Sequence, residues 1–301
     1  MQVLQCVPNF SEGRDSAFLE TMRGVLDEFP VKVIDLSRDA DHNRADCTFL
    51  GEPDAVEACA LALTARAVEL IDMRRHTGAH PRMGAVDVVP FVPICGVTME
   101  EAVVIARRFG RTFAEAHSVP VFFYEEACTS ESRRNLANVR RGEYEGMAEK
   151  LRDPAWQVDA GPQEFNERSG VTAVGARMPL IAFNVNLETA DLEVAKRVAD
   201  AVRHSRGGLR FVKAMGLALE EEGIVQVSMN LVDYRQTPIH RALELVKAEA
   251  ARFGVHVKAC ELVGMVPIEA LEEVVGYYLQ IRDFGVDQVI EYHLLPEDGG
   301  G

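Results

Sequence analysis

The sequence lacks three features that would point to particular classes of protein. Its 6 cysteines form no Cys-x-x-Cys pair and several lie in apolar patterns, so we expect a reducing, cytoplasmic compartment and no disulfide framework. It has no charge-free apolar run of membrane-spanning length and no basic leader at its start. Basic residues are scarce: 32 Lys and Arg against 47 Asp and Glu, a formal net charge of -15, argue against nucleic acid or anionic membranes as partners.

The sequence does have the length and hydrophobic content for two modest domains, with 301 residues of which 48% are hydrophobic. Strand and helix patterns alternate, which predicts an α/β fold (α+β type) of two subdomains with mixed sheets, residues 1–178 and residues 179–301. At residues 86–94, Pro90 and Pro93 predict an edge or irregular strand. The other predicted strands are residues 31–36, 119–124, 180–187, 224–231 and 256–263, and the predicted helices are residues 54–73, 98–117, 130–140, 144–151, 191–204, 238–254 and 268–281.

A histidine placed among small residues, proline and arginines is the first candidate for chemistry. His80 lies in the segment RHTGAHPRMGA, residues 75–85. An imidazole titrates near neutral pH and both accepts and donates protons, so a ring on this stiff turn suits proton transfer to an anionic substrate. His76 is four residues earlier, but Gly78 and Pro81 disfavour the helix that a zinc-binding pair would need, and we expect no metal. The alternative is a helix-ending loop without chemistry.

Two predicted strands in the second half carry amide side chains on one face. Strict alternation places every second residue of a strand on the same side. The groups are Asn184 with Asn186 in residues 181–187, and Gln226 with Ser228 and Asn230 in residues 225–231. Because asparagine is a poor strand former, these rows indicate a face that hydrogen-bonds a ligand, with an ordinary solvated face as the alternative.

Several longer motifs cover nearly the whole chain in the order found in one enzyme family. They are Val7-Pro8-Asn9-Phe10-Ser11-Glu12-Gly13, Asp41-His42-Asn43-Arg44, Leu70-Ile71-Asp72-Met73, His80-Pro81-Arg82-Met83-Gly84-Ala85-Val86-Asp87, Ile181-Ala182-Phe183-Asn184-Val185-Asn186-Leu187, Gln226-Val227-Ser228-Met229-Asn230-Leu231 and Leu262-Val263-Gly264-Met265-Val266-Pro267. With these motifs the sequence resembles the glutamate formimidoyltransferase family.

The resemblance implies two α/β subdomains with a ligand cleft between them, and a cytoplasmic homodimer acting on small molecules. The implied reaction moves the formimino group of N-formimidoyl-L-glutamate to N5 of the co-substrate tetrahydrofolate, in histidine degradation, without a metal. In animals the domain is fused to a cyclodeaminase, whose activity we expect to be absent here.

The resemblance also implies roles for particular residues. His80 matches the catalytic histidine of the family, and such a general acid/base can take the proton from N5 and return it to the glutamate nitrogen. The implied folate-binding loop comprises Gly161, Pro162, Gln163, Glu164, Phe165, Asn166, Glu167, Arg168, Ser169 and Gly170.

The residues themselves indicate where the substrates bind. The acidic loop 39–44 is predicted to orient His80 or to hold a cationic nitrogen, or else to form only a self-capping turn. Arg74, Arg75 and Arg82 are candidates for binding carboxylates. The predicted substrate-binding residues are Asp41, Asn43, Arg44, Arg82, Asn184, Asn186, Gln226 and Asn230.

Three other functions fit the same sequence. A formyl group could replace the formimino group as the unit transferred. A metal-dependent amidohydrolase could use His42, His76 and His80 as ligands. A folate-binding protein without catalysis would need only the amide-rich strands.

Overall fold

The structure, a computed structural model, describes residues 1–78 and 81–294. The chain forms two compact units that divide between Arg177 and Met178. Each unit has its own sheet, helices and hydrophobic core. Within the described residues, no helix combines the length and apolar character that a membrane crossing requires.

The first unit contains seven strands and six helices within the described residues. The strands are β1 (Val3–Cys6), β2 (Asn9–Phe10), β3 (Lys32–Asp39), β4 (Arg44–Gly51), β5 (Val86–Cys95), β6 (Val121–Glu125) and β7 (Thr172–Ala176). The helices are α1 (Ser16–Leu26), α2 (Pro53–Leu70), α3 (Met99–His117), α4 (Glu131–Arg134), α5 (Leu136–Arg140) and α6 (Glu143–Lys150). Local signals set several starts: Asp15 caps α1, Pro53 opens α2, and Thr98 with Glu101 forms a capping box before α3.

One mixed sheet contains all seven strands. Its order is β3, β4, then β1 and β2 together in one position, then β5, β7 and β6. β1 and β2 are successive parts of one ribbon between β4 and β5. The pairs β5–β7 and β7–β6 are parallel, and the other pairs are antiparallel. Parallel neighbours need crossover connections, which α3 supplies before β6 and α4 to α6 supply before β7.

Residues 86–94 were predicted to form an edge or an irregular strand. The edge alternative was wrong, because β5 lies in the middle of the sheet, and the irregular alternative is confirmed by the register shifts of β5 against β1 and β2. Pro90 is tolerated there for a local reason. The carbonyl of Pro90 accepts from the N–H of Val7, which lies between β1 and β2. The N–H that Pro90 lacks would point to the same side, where the hydrogen-bond ladder of β5 with β1 and β2 is already interrupted. On its other side, β5 keeps a continuous parallel pairing with β7.

Apolar side chains on one face of this sheet pack against α1, α2 and α3. The ring of Phe91 meets Phe109 edge to face at 5.3 Å, and Phe109 stacks on Phe113 at 5.9 Å. On the opposite face a second cluster, around Phe122 and Tyr124, lies under α5 and α6. That cluster covers this face of the sheet at β5, β7 and β6 only. At β4 and β2 the side chains on the same face are polar.

The second unit carries an antiparallel sheet with helices on one face. Its strands are β8 (Ile181–Leu187), β9 (Val212–Leu219), β10 (Ile224–Leu231) and β11 (Val257–Val263), in the order β11, β8, β10, β9. Its helices are α7 (Leu192–Val202), α8 (Ile239–Ala251) and α9 (Ile268–Leu279). The apolar residues of β8 and β10 alternate onto the face that packs against α7 and α8.

The predicted α/β class is confirmed, with parallel pairs confined to the first sheet. The named helix and strand predictions correspond to observed elements, with shifts of a few residues at their ends, except that residues 130–140 form two short helices. The elements β1, β2, β4, α1, β7 and β9 were not predicted. β9 shows why: its sequence VKAMGLAL does not alternate, and it is a strand because it pairs with β10 along its whole length.

Candidate functional site

A β-bulge directs one acidic side chain onto the polar face of the first sheet. The register between β2 and β5 shifts by one residue, with Asp87 as the extra residue on β5. The Asp87 side chain is fully buried, and its Oδ1 accepts from the backbone N–H of Met83 at 3.0 Å. A buried carboxylate requires hydrogen-bonded or charged partners, and the sheet supplies them.

Two guanidinium groups share this carboxylate. Arg44 on β4 donates to Asp87 Oδ2 at 3.1 Å, and Arg140 at the end of α5 donates to the same oxygen at 2.5 Å. Arg44 Nε also donates to Asn9 Oδ1 at 2.9 Å, whereas Arg140 Nε is buried without a hydrogen-bond partner in the described part of the chain. Burial chiefly lowers the pKa of Arg44, Arg140 lowers it further, and Asp87 opposes both. Two cations against one anion make this corner suitable for a carboxylate ligand.

The same face becomes acidic on the other side of Arg44. Asp46 is half-buried on β4, and burial together with Asp35 raises the pKa of its carboxyl, while Arg44 and Ser37 lower it. Arg140 is not among the groups that shift it. The face therefore runs from positive at Arg140 to negative at Asp46, which suits a ligand that carries both an anionic and a cationic group.

Asn43 joins three loops at the edge of this face. Its Oδ1 accepts from the N–H of Gly13 and its Nδ2 donates to the carbonyl of Thr77, both at 2.9 Å. The residue is buried and its φ of 50° lies in the left-handed region. A Cβ on Gly13 or Gly78 would lie 2.1 Å or 2.4 Å from backbone oxygens of the loop 39–44, so only glycine allows the loops to approach this closely.

His76 and Arg82 form the next contacts outward from Asn43. His76 Nε2 lies 3.0 Å from the carbonyl oxygen of Asn43, and Arg82 Nε donates to His76 Nδ1 at 3.3 Å. The Arg82 amino groups then donate to the carboxylate of Glu145 at 2.9 Å and 2.5 Å, and to Glu143 at 3.3 Å. These bonds raise the pKa of Arg82 and lower the pKa of Glu145.

The predicted catalytic residue, His80, lies outside the described residues. Its predicted substrate-binding neighbours are described. Asn43 and Arg44 belong to the buried contacts around Gly13 and Asp87, whereas Asp41 is exposed. Asp39, not Asp41, caps the turn, because its Oδ1 accepts from the N–H groups of Asp41 and His42.

Two of the three predicted carboxylate-binding arginines have other partners in this structure, and the third, Arg75, is exposed. Arg82 is buried and bonded to Glu145, Glu143 and His76, and Arg74 bonds to Asp72. A ligand carboxylate would have to displace these contacts. Arg140, which the sequence did not suggest, is better placed for that role.

The predicted folate-binding loop, residues 161–170, is anchored at both ends. Gln163 bonds to the carbonyl of Leu151 at 2.6 Å, and Asn166 Oδ1 accepts from the N–H groups of Arg168 and Ser169. Between these anchors Phe165 packs against Tyr144, with ring centroids 5.3 Å apart, while Gln163, Glu164, Glu167 and Arg168 are exposed. Gly161 and Gly170 have φ of 83° and 71°, so both turns require glycine.

The amide side chains of the second unit share one sheet face, as their alternation predicts. The register pairs Asn186 with Gln226 and Asn184 with Ser228. Asn186 and Gln226 are buried and bonded to each other at 2.8 Å, and both donate to the carboxylate of Glu261 on β11, at 2.6 Å and 3.2 Å. Asn184 and Ser228 are half-exposed and Asn230 is exposed.

No group of three or more His, Cys, Asp or Glu side chains in residues 1–78 and 81–294 is arranged to hold a metal ion. His42 Nδ1 lies 2.7 Å from Asp39 Oδ2, and both ring nitrogens of His76 make the bonds described above. A ring with both nitrogens bonded, as in His76, would have to break one bond to bind a metal, and His80 lies outside the described residues.

Comparison with known proteins connects this geometry to a family. Residues 3–177 match the formiminotransferase domain, N-terminal subdomain, and residues 182–292 match the formiminotransferase domain. The chain is 43% identical to a protein of Streptococcus pyogenes serotype M1 and 42% identical to one of Thermoplasma acidophilum, both named glutamate formimidoyltransferase. These alignments cover 98% and 97% of this chain, and 99% and 97% of the relatives. The chain therefore belongs to the formiminotransferase family, whose members are transferases of one-carbon groups.

A relative from Dictyostelium discoideum, named formimidoyltransferase-cyclodeaminase, is 40% identical over 98% of this chain but only 56% of its own length. Both family matches of this chain are to formiminotransferase domains, and the 301 residues contain no cyclodeaminase domain.

Sequence reasoning did not select several residues of the site. Asp87 and Asn9 lie within the motifs that carry the family resemblance. Asp87 could have been found, because it is the single acidic residue in the apolar run of β5. Arg140 and Glu145 gave no such signal. They lie in an exposed-looking polar stretch, and only the packing of α5 and α6 against the sheet brings them to Asp87 and Arg82.

Proposed function

We propose that this chain transfers the formimino group from N-formimidoyl-L-glutamate to N5 of tetrahydrofolate, as a step of histidine degradation. The observation that carries the proposal is its similarity, over nearly the full length of both chains, to proteins named glutamate formimidoyltransferase. The polar face around Asp87 supports it, because that face is positive at one side and acidic at the other.

The chemistry requires one group that handles a proton twice. N5 of the folate attacks the amidine carbon and forms a new C–N bond while losing its proton. The tetrahedral intermediate then breaks the bond to the glutamate nitrogen, which must gain a proton to leave as an amine. His80 takes the first proton and returns it in the second step, a role worth on the order of 10²-fold to 10⁴-fold in rate.

The described residues receive complementary roles in this proposal. Arg140 and Arg44 bind a carboxylate of the donor through charge-assisted hydrogen bonds. The loop 161–170 binds the folate, and the half-exposed rings of Phe165 and Tyr144 offer it a surface for stacking. Asn184 and Asn230 keep amide groups available on the polar face of the second sheet, where Asn186 and Gln226 hold each other in place.

We also propose that residues 1–178 and 179–301 act as the two subdomains of one cytoplasmic enzyme, which works as a homodimer and needs no metal. The separate family matches, residues 3–177 and 182–292, support the division.

The test is an assay with two donors and a histidine variant. Production of 5-formimidoyltetrahydrofolate is measured with N-formimidoyl-L-glutamate and, in parallel, production of 5-formyltetrahydrofolate is measured with N-formyl-L-glutamate. We expect turnover with the formimino donor, and its loss in His80→Ala while folate binding, measured by calorimetry, persists. His204→Ala is the matched control, since His204 is exposed in the second unit. Preference for the formyl donor would reverse the assignment of substrate, and normal turnover by His80→Ala would reject the histidine.

A further inference from the structure

Helix α6 is firmly attached to the rest of the first unit. The N–H of Tyr144 donates to the carbonyl of Arg82 at 2.8 Å, and the carboxylate of Glu145 accepts from the Arg82 guanidinium at 2.9 Å and 2.5 Å. Met147 is fully buried in an apolar cluster against the sheet. The backbone of α6 is therefore fixed, and its other side chains can support neighbouring segments.

Near the start of α6, Tyr144 makes two contacts with the loop 161–170. Its hydroxyl donates to the carbonyl of Glu167 at 2.5 Å, and its ring packs against Phe165 with centroids 5.3 Å apart. Burial is the main cause that raises the pKa of Tyr144 above its ordinary value of about 10, and Glu167 and Asp72 raise it further. The hydroxyl therefore keeps the proton that a bond to a carbonyl requires.

The other side of the same turn is bound to residues 69–73. Arg168 Nη2 donates to the carbonyl of Glu69 at 2.7 Å, and the carbonyl of Arg168 accepts from the N–H of Met73 at 2.9 Å. Removal of the Tyr144 hydroxyl would thus release the turn on the side of α6, while these contacts keep the other side in place.

Lys150, the last residue of α6, supports the end of α5. An ammonium has three donors, and this one donates to three backbone carbonyls, those of Asn138 at 2.7 Å, Val139 at 2.6 Å and Arg141 at 3.1 Å. The last carbonyls of a helix have no partner inside it, and a helix of 5 residues is too short to be stable by itself. The three bonds flank Arg140, whose guanidinium binds Asp87.

We propose that α6 is the common support of the two substrate sites, with Tyr144 as a positioning residue for the loop 161–170 and Lys150 as a positioning residue for Arg140. The inference rests on the proposed function, because that function assigns the loop to folate and Arg140 to a carboxylate of the donor. A crossed pattern follows, in which each change on α6 weakens the binding of one substrate only.

The charges around Lys150 make its ammonium observable. Burial lowers the pKa of Lys150 to about 8, with further lowering by Arg141 and Arg133. Two carboxylates lie nearby: Asp159 pairs with Arg133 at 2.7 Å, and Asp153 lines the same cavity as Lys150. Lys150 therefore titrates within a pH range in which the folded protein can be studied.

Trp156 can report this titration in the folded state. Lys150 Nζ lies 3.8 Å from the centroid of the Trp156 ring. Because the pKa of Lys150 is depressed from 10.5 to about 8, the folded protein binds fewer protons than the unfolded chain between these values. The free energy of unfolding therefore rises with pH in that window, and loss of this proton does not unfold the protein.

Two substitutions on α6 serve as controls for each other. Tyr144→Phe keeps the ring and removes the bond to Glu167, so the KM for tetrahydrofolate should rise about 2-fold to 10-fold, the value of one neutral hydrogen bond. Lys150→Met removes the three carbonyl bonds, so the KM for N-formimidoyl-L-glutamate should rise on the order of 10-fold. The other KM and kcat should change little in each variant. Lys150→Arg keeps a charged donor, and its donor KM should lie closer to that of the unsubstituted protein.

Two readouts need no turnover. Emission from Trp156, the single tryptophan, should titrate near pH 8 in the unsubstituted protein and in Tyr144→Phe, but not in Lys150→Met. Binding of tetrahydrofolate, measured by calorimetry, should weaken in Tyr144→Phe and not in Lys150→Met.

Several outcomes would overturn the support role of α6. They are a rise of both KM values together in either variant, no rise in either variant, a Lys150→Arg protein no better than Lys150→Met, or an emission titration that persists in Lys150→Met. Failure of the proposed function would appear differently, as no formimino transfer by the unsubstituted protein while the emission and calorimetric differences persist.

Discussion

Replacing Asp87 by asparagine should destabilise the first unit by more than any single hydrogen bond could explain. The substitution preserves size but removes the charge that Arg44 and Arg140 share. An asparagine can keep the bond to the Met83 N–H through its oxygen, and its NH₂ group would then face two donors.

The magnitude follows from the burial of the three side chains. Removing one partner of a buried ion pair costs about 3–5 kcal/mol, because the remaining charge stays uncompensated. The Asp87 side chain is 0% exposed, but Arg44 and Arg140 are 15% and 19% exposed, so water can solvate part of their charge. We therefore expect the lower end, a loss of about 3 kcal/mol in the free energy of unfolding. At about 2–4 °C per kcal/mol, Tm should fall by about 6–12 °C.

The single tryptophan makes the measurement specific to this unit. Trp156 belongs to the first unit and contacts Phe122 with ring centroids 5.7 Å apart, so its fluorescence reports denaturant unfolding of that unit. The matched control is Asp46→Asn, another acid-to-amide change on the same face. The pKa of Asp46 is raised, so loss of its charge should not destabilise the fold. An Asp87→Asn protein as stable as the control would refute the account of a shared buried carboxylate.

Two further changes test the site and its loops. Arg140→Gln should raise the KM for N-formimidoyl-L-glutamate on the order of 10-fold to 100-fold, the value of a charged hydrogen bond, with little change in kcat. Arg141→Gln is the control, and a rise in the folate KM instead would assign the carboxylate to the folate. Gly78→Ala should cost about 1–3 kcal/mol in unfolding free energy, since its Cβ would lie 2.4 Å from a backbone oxygen. Gly24→Ala, where nothing lies within 4 Å, should instead be neutral or stabilising, and equal effects of the two alanines on denaturant midpoints would contradict the steric argument.

Much of the fold could be predicted because local physical signals agree with it. Thr98 and Glu101 form a capping-box pattern that predicts the start of α3. The alternation along β8 and β10 places Asn186 and Gln226 on one face of the sheet. Where local signals were weak or misleading, prediction failed. The prolines of β5 indicated an edge or an irregular strand, and the edge alternative was wrong because a sequence cannot show that the neighbouring strands are interrupted opposite Pro90.

The sequence prediction of proton transfer rests on one segment, and it stays a prediction because His80 lies outside the described residues. The pattern around His76 and His80 indicated proton transfer because small residues, proline and arginines occur together there. The partners of Arg82 could not be read in this way. Glu145 is 63 residues away along the chain, and it meets Arg82 only because α6 packs beside the sheet.

By itself the sequence determined the α/β class, the alternation of the strands and the family, since these depend on residue order over short spans. Only the tertiary structure decided that Asp87 is shared by Arg44 and Arg140, and that His76 lies between the Asn43 carbonyl and Arg82. The physical reason is that the charge state of a side chain depends on burial and on neighbours brought together by packing from distant parts of the chain.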